Sequence, residues 1–300
     1  MATTRVRLGT DVPRLLLLLT LCVGLAACQP GKGNTVEKNI DWKSLEFTCV
    51  KEQNPPLDKE ADHWFKSARA IEKGERPGTN AQMIDLYEKA AAKNHFKAII
   101  NLANIYGNGD GVEPDERRAV SLLERGMSMN IPSAYYNMGT FLEQGIGVKQ
   151  DKVAALTYFR KAADMGSPDG QYAVGDKLMA EFAASPDKDK GLPIAISMLE
   201  CALGQGFAKA GMRLGSHFSG VGYATNKERG LPYFQKAAAL GDSQALYMLQ
   251  TAFTEGKRGV TKDPTRAACY KLLSNELDAD KTKKFPNIDR ICPLPPKPMP

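Results

Sequence analysis

The chain repeats itself, and that limits its folds more than any other feature. "LYEKAAAKN" from Leu86, "YFRKAADMG" from Tyr158 and "YFQKAAALG" from Tyr233 are near copies. Between them, Ala98, Ala134, Gly170, Ala210 and Ala245 recur at separations of 36, 36, 40 and 35 residues. Four positions after each stands a large apolar residue: Leu102, Met138, Val174, Leu214 and Leu249. The next position is small in Ala103, Gly139, Gly175 and Gly215, with Gln250 the exception. Eight after each anchor come Tyr106, Leu142, Leu178, Phe218 and Phe253. Offsets of four and eight share one helix face, and a small neighbour lets a second helix approach closely. Those second helices begin near Ala119, Ala155, Ala195, Gly230 and Ala267, and a degenerate earlier unit spans about 57–93. The pattern predicts an all-α chain of about six helical hairpins over 57–280, none able to bury its apolar face alone.

The stretch "YYNMGTFLEQGIGVKQDKVAALTYFRKAADMG", Tyr135 to Gly166, resembles the Sel-one-like repeat family, relatives of the tetratricopeptide repeat. The resemblance covers roughly Ala61 to Leu277 and implies a right-handed superhelical solenoid. The third unit departs from it: "MAEFAASPDKDKGLPIA" lacks the G-x-G-V turn and carries four extra residues.

"IYGNGDGVEPD", Ile105 to Asp115, has the glycines and acids of an ion site, but its siblings argue otherwise. "EQGIGVKQDKVAA", "FSGVGYATNKERG" and "TEGKRGVTKDPTRAA" occupy the same slot, keep glycine and lose the acids. The spacing also fails the D-x-[DN]-x-[DN]-G calcium loop and the G-K-[ST] phosphate loop. Glycine at positive φ between antiparallel helices, with Pro114 opening the next helix, accounts for the stretch. Nor do His63, His95 and His217 share a metal spacing. His95-Phe96-Lys97 has the H-x-K opening of phospholipase D motifs, but Leu102 stands where those need aspartate. "GSHFSG" lacks the G-x-S-x-G order of a nucleophile elbow. The expectation is therefore no enzyme, no metal and no cofactor.

At the amino end, Arg5, Arg7 and Arg14 precede an apolar run from Leu15 to Ala27 that is short for a membrane span. It closes in "LAAC", which resembles the lipobox of bacterial lipoproteins, with Cys28 carrying the lipid. That resemblance makes 1–27 a signal peptide and 28–56 a lipidated tether with an amino-terminal segment. Gln29, not Asp, follows the cysteine, which in the enterobacterial sorting pattern implies the outer membrane, facing the periplasm. Loss of 1–27 lowers the formal charge from +6 to +4, too mild for nucleic-acid binding without a clustered basic face. Cys49, Cys201, Cys269 and Cys292 then remain where disulfides can form. Three complete pairings are open; the short connection favours Cys269 with Cys292.

A second stripe lies beside the packing face of the first helices. Two residues after the anchors come Ile100, Tyr136, Tyr172, Met212 and Tyr247; six after come Asn104, Thr140, Asp176, Ser216 and Thr251. Aromatic groups beside small polar ones at i, i+4 suit recognition of a protein partner, although tyrosine here also serves packing between units. Segment 281–300 ends in prolines at 293, 295, 296, 298 and 300, which favour extended chain. A lipoprotein start, "FTCVKEQNPPL", these repeats and "FPNIDRICPLPP" together resemble the immunity lipoproteins that accompany type VI secretion phospholipase effectors. The resemblance implies a phospholipase effector as partner, neutralised by direct binding. A general periplasmic adaptor for envelope proteins is the alternative, and an unrecognised hydrolase a third.

Overall fold

The computed structural model describes residues 40–220 and 227–296. The expected signal peptide 1–27, Cys28 and the part of the expected tether up to residue 39 lie outside the described residues, as do 221–226 and 297–300. Among the described residues there is helix and no strand. After a short α1 (Trp42–Leu45) come six hairpins: α2 (Lys59–Glu72) with α3 (Asn80–Ala92), α4 (Phe96–Asn108) with α5 (Glu116–Ser128), and α6 (Pro132–Gln144) with α7 (Lys152–Asp164). Then follow α8 (Pro168–Phe182) with α9 (Lys188–Gly204), α10 (Ala208–Ser219) with α11 (Leu231–Ala239), and α12 (Ser243–Glu255) with α13 (Pro264–Ala279). A last short helix, α14 (Ile288–Ile291), closes the chain. The expected solenoid of six hairpins is what forms.

Left-handed residues mark the joints between successive hairpins. Asn94, Asn130, Gly166, Gly206 and Gly241 all have positive φ, each four positions before an anchor. They end one hairpin and start the next, because a left-handed residue stops the helix that precedes it. The turn inside a hairpin also repeats. Gly109 (φ 75) and Gly111 (φ 73) have the positive angles expected of the glycine-rich stretch. Asp115 N–H donates to the Tyr106 carbonyl at 2.9 Å, as Asp151 does to Leu142 at 2.8 Å and Asp263 to Phe253 at 2.8 Å. The same three aspartates cap the next helix, accepting from Arg118, Ala154 and Arg266 N–H at 2.9–3.0 Å. The loop's final acid is thus an N-cap, stabilising its helix by about 1 kcal/mol.

The chain divides into two compact units. In the first (56–130 and 137–159, with the described part of 1–46), Ala98, Leu102, Ala103 and Tyr106 are buried on the inner face of α4. A Cβ on Gly139 would meet Phe159 at 2.8 Å and the Ala155 carbonyl at 3.1 Å, so the small position does let α7 close on α6.

The second unit (47–55, 131–136 and 160–300) uses the same contact at Gly175 against α9 and Gly215 against α11. The four extra residues of the third repeat go into helix: α8 and α9 run to 15 and 17 residues, against 13 for α4 to α7. The core at its carboxy end gathers Phe234, Leu246, Leu249, Phe253, Tyr270 and Leu273. Phe285, Ile288 and Cys292 are buried in that same core, at 3%, 2% and 1% exposure, so the carboxy-terminal segment is bound as a cap. Chain without helix follows from Pro293, where the prolines cluster.

Candidate partner-binding surface

The stripe residues are placed unevenly. Asn104, Thr140 and Tyr136 are half-buried on α4 and α6. On α8, Tyr172 is half-buried with its ring 5.1 Å from that of Phe207, and Asp176 forms an ion pair with Arg213 on α10. Burial first, then the Asp176 carboxylate, pushes the Tyr172 hydroxyl above its ordinary pKa, so it stays a neutral hydrogen-bonding group. Ser216 is exposed on α10. On α12, Tyr247 is 57% exposed, and Thr251 Oγ1 donates to its carbonyl at 2.9 Å. An aromatic that open on a helix face has little packing role, whereas Tyr172 packs as well as presents a polar tip.

Both cysteine pairs are disulfides: Cys269–Cys292, as the short connection suggested, and Cys49–Cys201. The second binds segment 47–55 to α8 and α9 as a strap. Its backbone is held by two glutamines that sequence reasoning missed. Gln171, fully buried, donates from Nε2 to the Val50 carbonyl at 2.8 Å. Gln205 Oε1 accepts from Glu52 N–H at 2.8 Å, while its Nε2 donates to Gly166 O at 2.9 Å and Gln171 Oε1 at 3.0 Å. A signal existed in the sequence: Gln171 stands where the other units have Ile99, Tyr135, Gly211 and Leu246.

The histidines do structural work. His95, 1% exposed, stacks on Phe65 at 4.5 Å and caps α4, its Nδ1 accepting from Ala98 N–H at 3.2 Å. Burial lowers its pKa, partly offset by Asp62, whose carboxylate lies 3.6 Å from Nε2. His217 is buried in α10, with its pKa lowered by burial and then by Arg213 and Arg229. Among the described residues no group of three or more His, Cys, Asp or Glu is placed to hold a metal. No described helix is long and apolar enough to cross a membrane.

Helical hairpins in series define the class: a helical-repeat scaffold. Comparison with known proteins narrows this. The Sel1 repeat model matches residues 84–95, 96–130, 132–167, 208–242 and 243–270, omitting the lengthened third unit. Immunity protein Pa5087 from Pseudomonas aeruginosa is 31% identical, with TM-score 0.68 over 84% of this chain and 96% of its own. Immunity protein PA5088 from the same organism is 28% identical, with TM-score 0.69 over 84% and 95%. Pseudomonas aeruginosa PA5086 is 29% identical, with TM-score 0.65 over 84% and 96%. No curated protein sequence matches the chain. The chain belongs to the Sel1-repeat family.

Proposed function

We propose that the chain is an immunity protein. Lipid on Cys28 holds it to the outer membrane on the periplasmic side. There it binds a phospholipase toxin delivered by type VI secretion and stops it by direct contact, without turnover and without a cofactor. The observation that carries this reading is the likeness to Pa5087 and PA5088, both immunity proteins, across 84% of the chain. The "LAAC" motif supports the anchor, and two disulfides suit an oxidising compartment. The proposed contact residues are Asn104 and Thr140 in the first unit, and Tyr136, Tyr172, Asp176, Ser216, Tyr247 and Thr251 in the second.

The test is co-expression with a type VI secretion phospholipase effector from the same genome, targeted to the periplasm. Cells carrying the chain survive; lysis despite stable, correctly localised protein rejects the reading. Tyr247→Ala is the cleanest surface variant, since so exposed a side chain leaves stability within about 0.5 kcal/mol. Binding to the effector should weaken about tenfold. Cys28→Ser should release the protein from the membrane fraction; retention there counts against the anchor.

A further inference from the structure

Residues 47–55 are held to the second unit far more closely than their own burial explains. Not one of them is buried. Yet Cys49 is bonded to Cys201 on α9, and the next residues of the strap are gripped by their main chain. The Val50 carbonyl accepts from Gln171, and the Glu52 N–H donates to Gln205. Gly166 lies directly under the same backbone: a Cβ there would stand 2.6 Å from the Lys51 carbonyl carbon and 2.7 Å from the Glu52 nitrogen. Holding the strap by its backbone leaves side chains outside. Val50 is 40% exposed, with Thr48, Lys51 and Gln53 exposed around it.

Covering the joint between α8 and α9 does not call for this arrangement. At the register of Gln171 the sibling units have Ile99 and Leu246, which are buried without any strap. A buried amide is unfavourable unless its groups are bonded, and here the strap's backbone and Gln205 bond it. A side chain exposed singly, as Val50 is, is ordinary on a protein surface. The fixed backbone beneath it is not ordinary. The strap also adjoins a proposed contact residue, Tyr172. Gln171, which holds Val50, precedes Tyr172 on α8, and Gln205, which holds Glu52, lies two residues before Phe207, whose ring packs on that of Tyr172.

We propose that the strap is a display loop: residues 48–53 continue the contact surface beyond Tyr172, and the protein partner that meets Tyr172 also meets Val50. Val50 supplies the apolar contact, and Thr48 and Gln53 supply hydrogen-bonding groups at its rim. Lys51 and Glu52 are of opposite sign, so 48–53 carries no net charge and offers nothing particular to a phosphate or an anionic lipid surface. An electrically neutral loop with one apolar side chain among polar ones suits an uncharged protein surface with a shallow apolar recess. Fixing the loop beforehand removes the ordering entropy that a free segment would lose on binding. That is what the disulfide and the two glutamines accomplish for a segment that buries nothing. The inference rests on the immunity reading and adds to its helical contact residues a segment outside the helices.

The experiment is isothermal titration of the mature chain with a type VI secretion phospholipase effector from the same genome. It compares wild type, Val50→Asp, and Cys49→Ser combined with Cys201→Ser. Val50→Asp puts a charge into the apolar contact at an exposed position, so affinity should fall about tenfold or more while the thermal midpoint stays. The paired serine variant frees the strap, which must then be ordered on binding, so affinity should fall about tenfold. Unchanged affinity in Val50→Asp overturns the display loop and leaves the immunity reading standing. If the paired serine variant alone binds weakly, the strap supports Tyr172 through Gln205 and Phe207 without touching the partner, and the display loop is wrong. If Val50→Asp alone binds weakly, the ties do not serve binding, and the role given to them is wrong. No binding by wild type overturns the immunity reading and the loop together.

Discussion

The second unit ties down a chain segment at each of its ends with the same two devices, a disulfide and a buried glutamine, yet the two ties differ in kind. At the amino end, Cys49–Cys201 and Gln171 hold residues 47–55, none of which is buried; Val50 is 40% exposed. At the carboxy end, Cys269–Cys292 and Gln235 hold a segment that buries Phe285, Ile288 and Cys292. Gln235, 2% exposed, donates to the Cys292 carbonyl at 3.2 Å, and the Tyr270 hydroxyl donates to it at 2.9 Å. The first tie therefore holds a strap to a surface, and the second completes a core. A repeat array needs its last unit covered, because an open terminal hairpin leaves apolar surface without a neighbour.

The two disulfides make the contrast measurable. Chain entropy alone ranks the amino-terminal one higher. Its separation of 152 residues gives about 5 kcal/mol, against about 3.4 kcal/mol for a separation of 23. That order should invert. Without Cys49–Cys201 the strap can detach and recover about 1 kcal/mol or more of backbone entropy per residue, since it buries little in return. The cap cannot detach without exposing Phe285 and Ile288. Removing Cys269 and Cys292 together, each to Ser, should therefore cost about 3 kcal/mol in denaturant unfolding. The Cys49→Ser, Cys201→Ser pair should cost about 1 kcal/mol and instead make residues 47–55 the first site of proteolysis. If the amino-terminal pair costs more, loop length governs and the strap is part of the cooperative fold.

The glutamines sharpen the same comparison at smaller scale. Gln235→Leu removes an amide that donates to Asp289 Oδ1 at 2.8 Å as well as to Cys292, inside a core where water cannot replace it. A loss of about 1–3 kcal/mol is expected. Gln171→Leu frees a carbonyl on the exposed Val50, which water can satisfy, so the loss should be nearer 1 kcal/mol. Equal losses would mean that the strap is as dry as the cap.

The periodic part of this architecture could be read from residues, and the singular part could not. Ala98, Leu102 and Ala103 announce a packed helix face because burial recurs with the helix period, and Gly139, Gly175 and Gly215 announce close contact because siblings share the position. The third unit announced that it was irregular, but not that its surplus would lengthen α8 and α9. Cys49–Cys201 joins segments with no shared pattern, so the sequence offered it only as the remainder once Cys269 was paired with Cys292. Gln171 was visible as a polar residue among apolar siblings, without any hint that the group it satisfies is a backbone carbonyl of a distant strap. On the stripe, the sequence placed Tyr172 and Tyr247 in equivalent positions; their different exposure depends on neighbours such as Phe207, which the offset rule does not see.

A pH series separates the ties from the helices. The glutamine amides do not titrate, so neither tie should loosen through them on mild acidification. His95 and His217 do titrate, and burial holds the pKa of each below its ordinary 6.5. In the unfolded chain both take up a proton as pH falls through about 6.5, while in the folded chain they resist it. Their contribution to stability is thus fully present above that pH and is lost as pH falls below it. Aspartates with lowered pKa, such as Asp58 with its backbone hydrogen bond from Ala61 and Asp263 with its bond from Arg266, add a loss of the same sign only near and below 3.8. Between pH 7.5 and 5.5, wild type should therefore lose stability slightly. His95→Asn keeps an N-cap acceptor for α4 and removes one titrating group, so its pH dependence should be flatter. The rate of cleavage in residues 47–55, corrected for the protease's own pH profile, should stay constant across the same range. A cleavage rate that rises in step with the global loss would place the strap in the same cooperative unit as the histidines, and the distinction between strap and cap would fail.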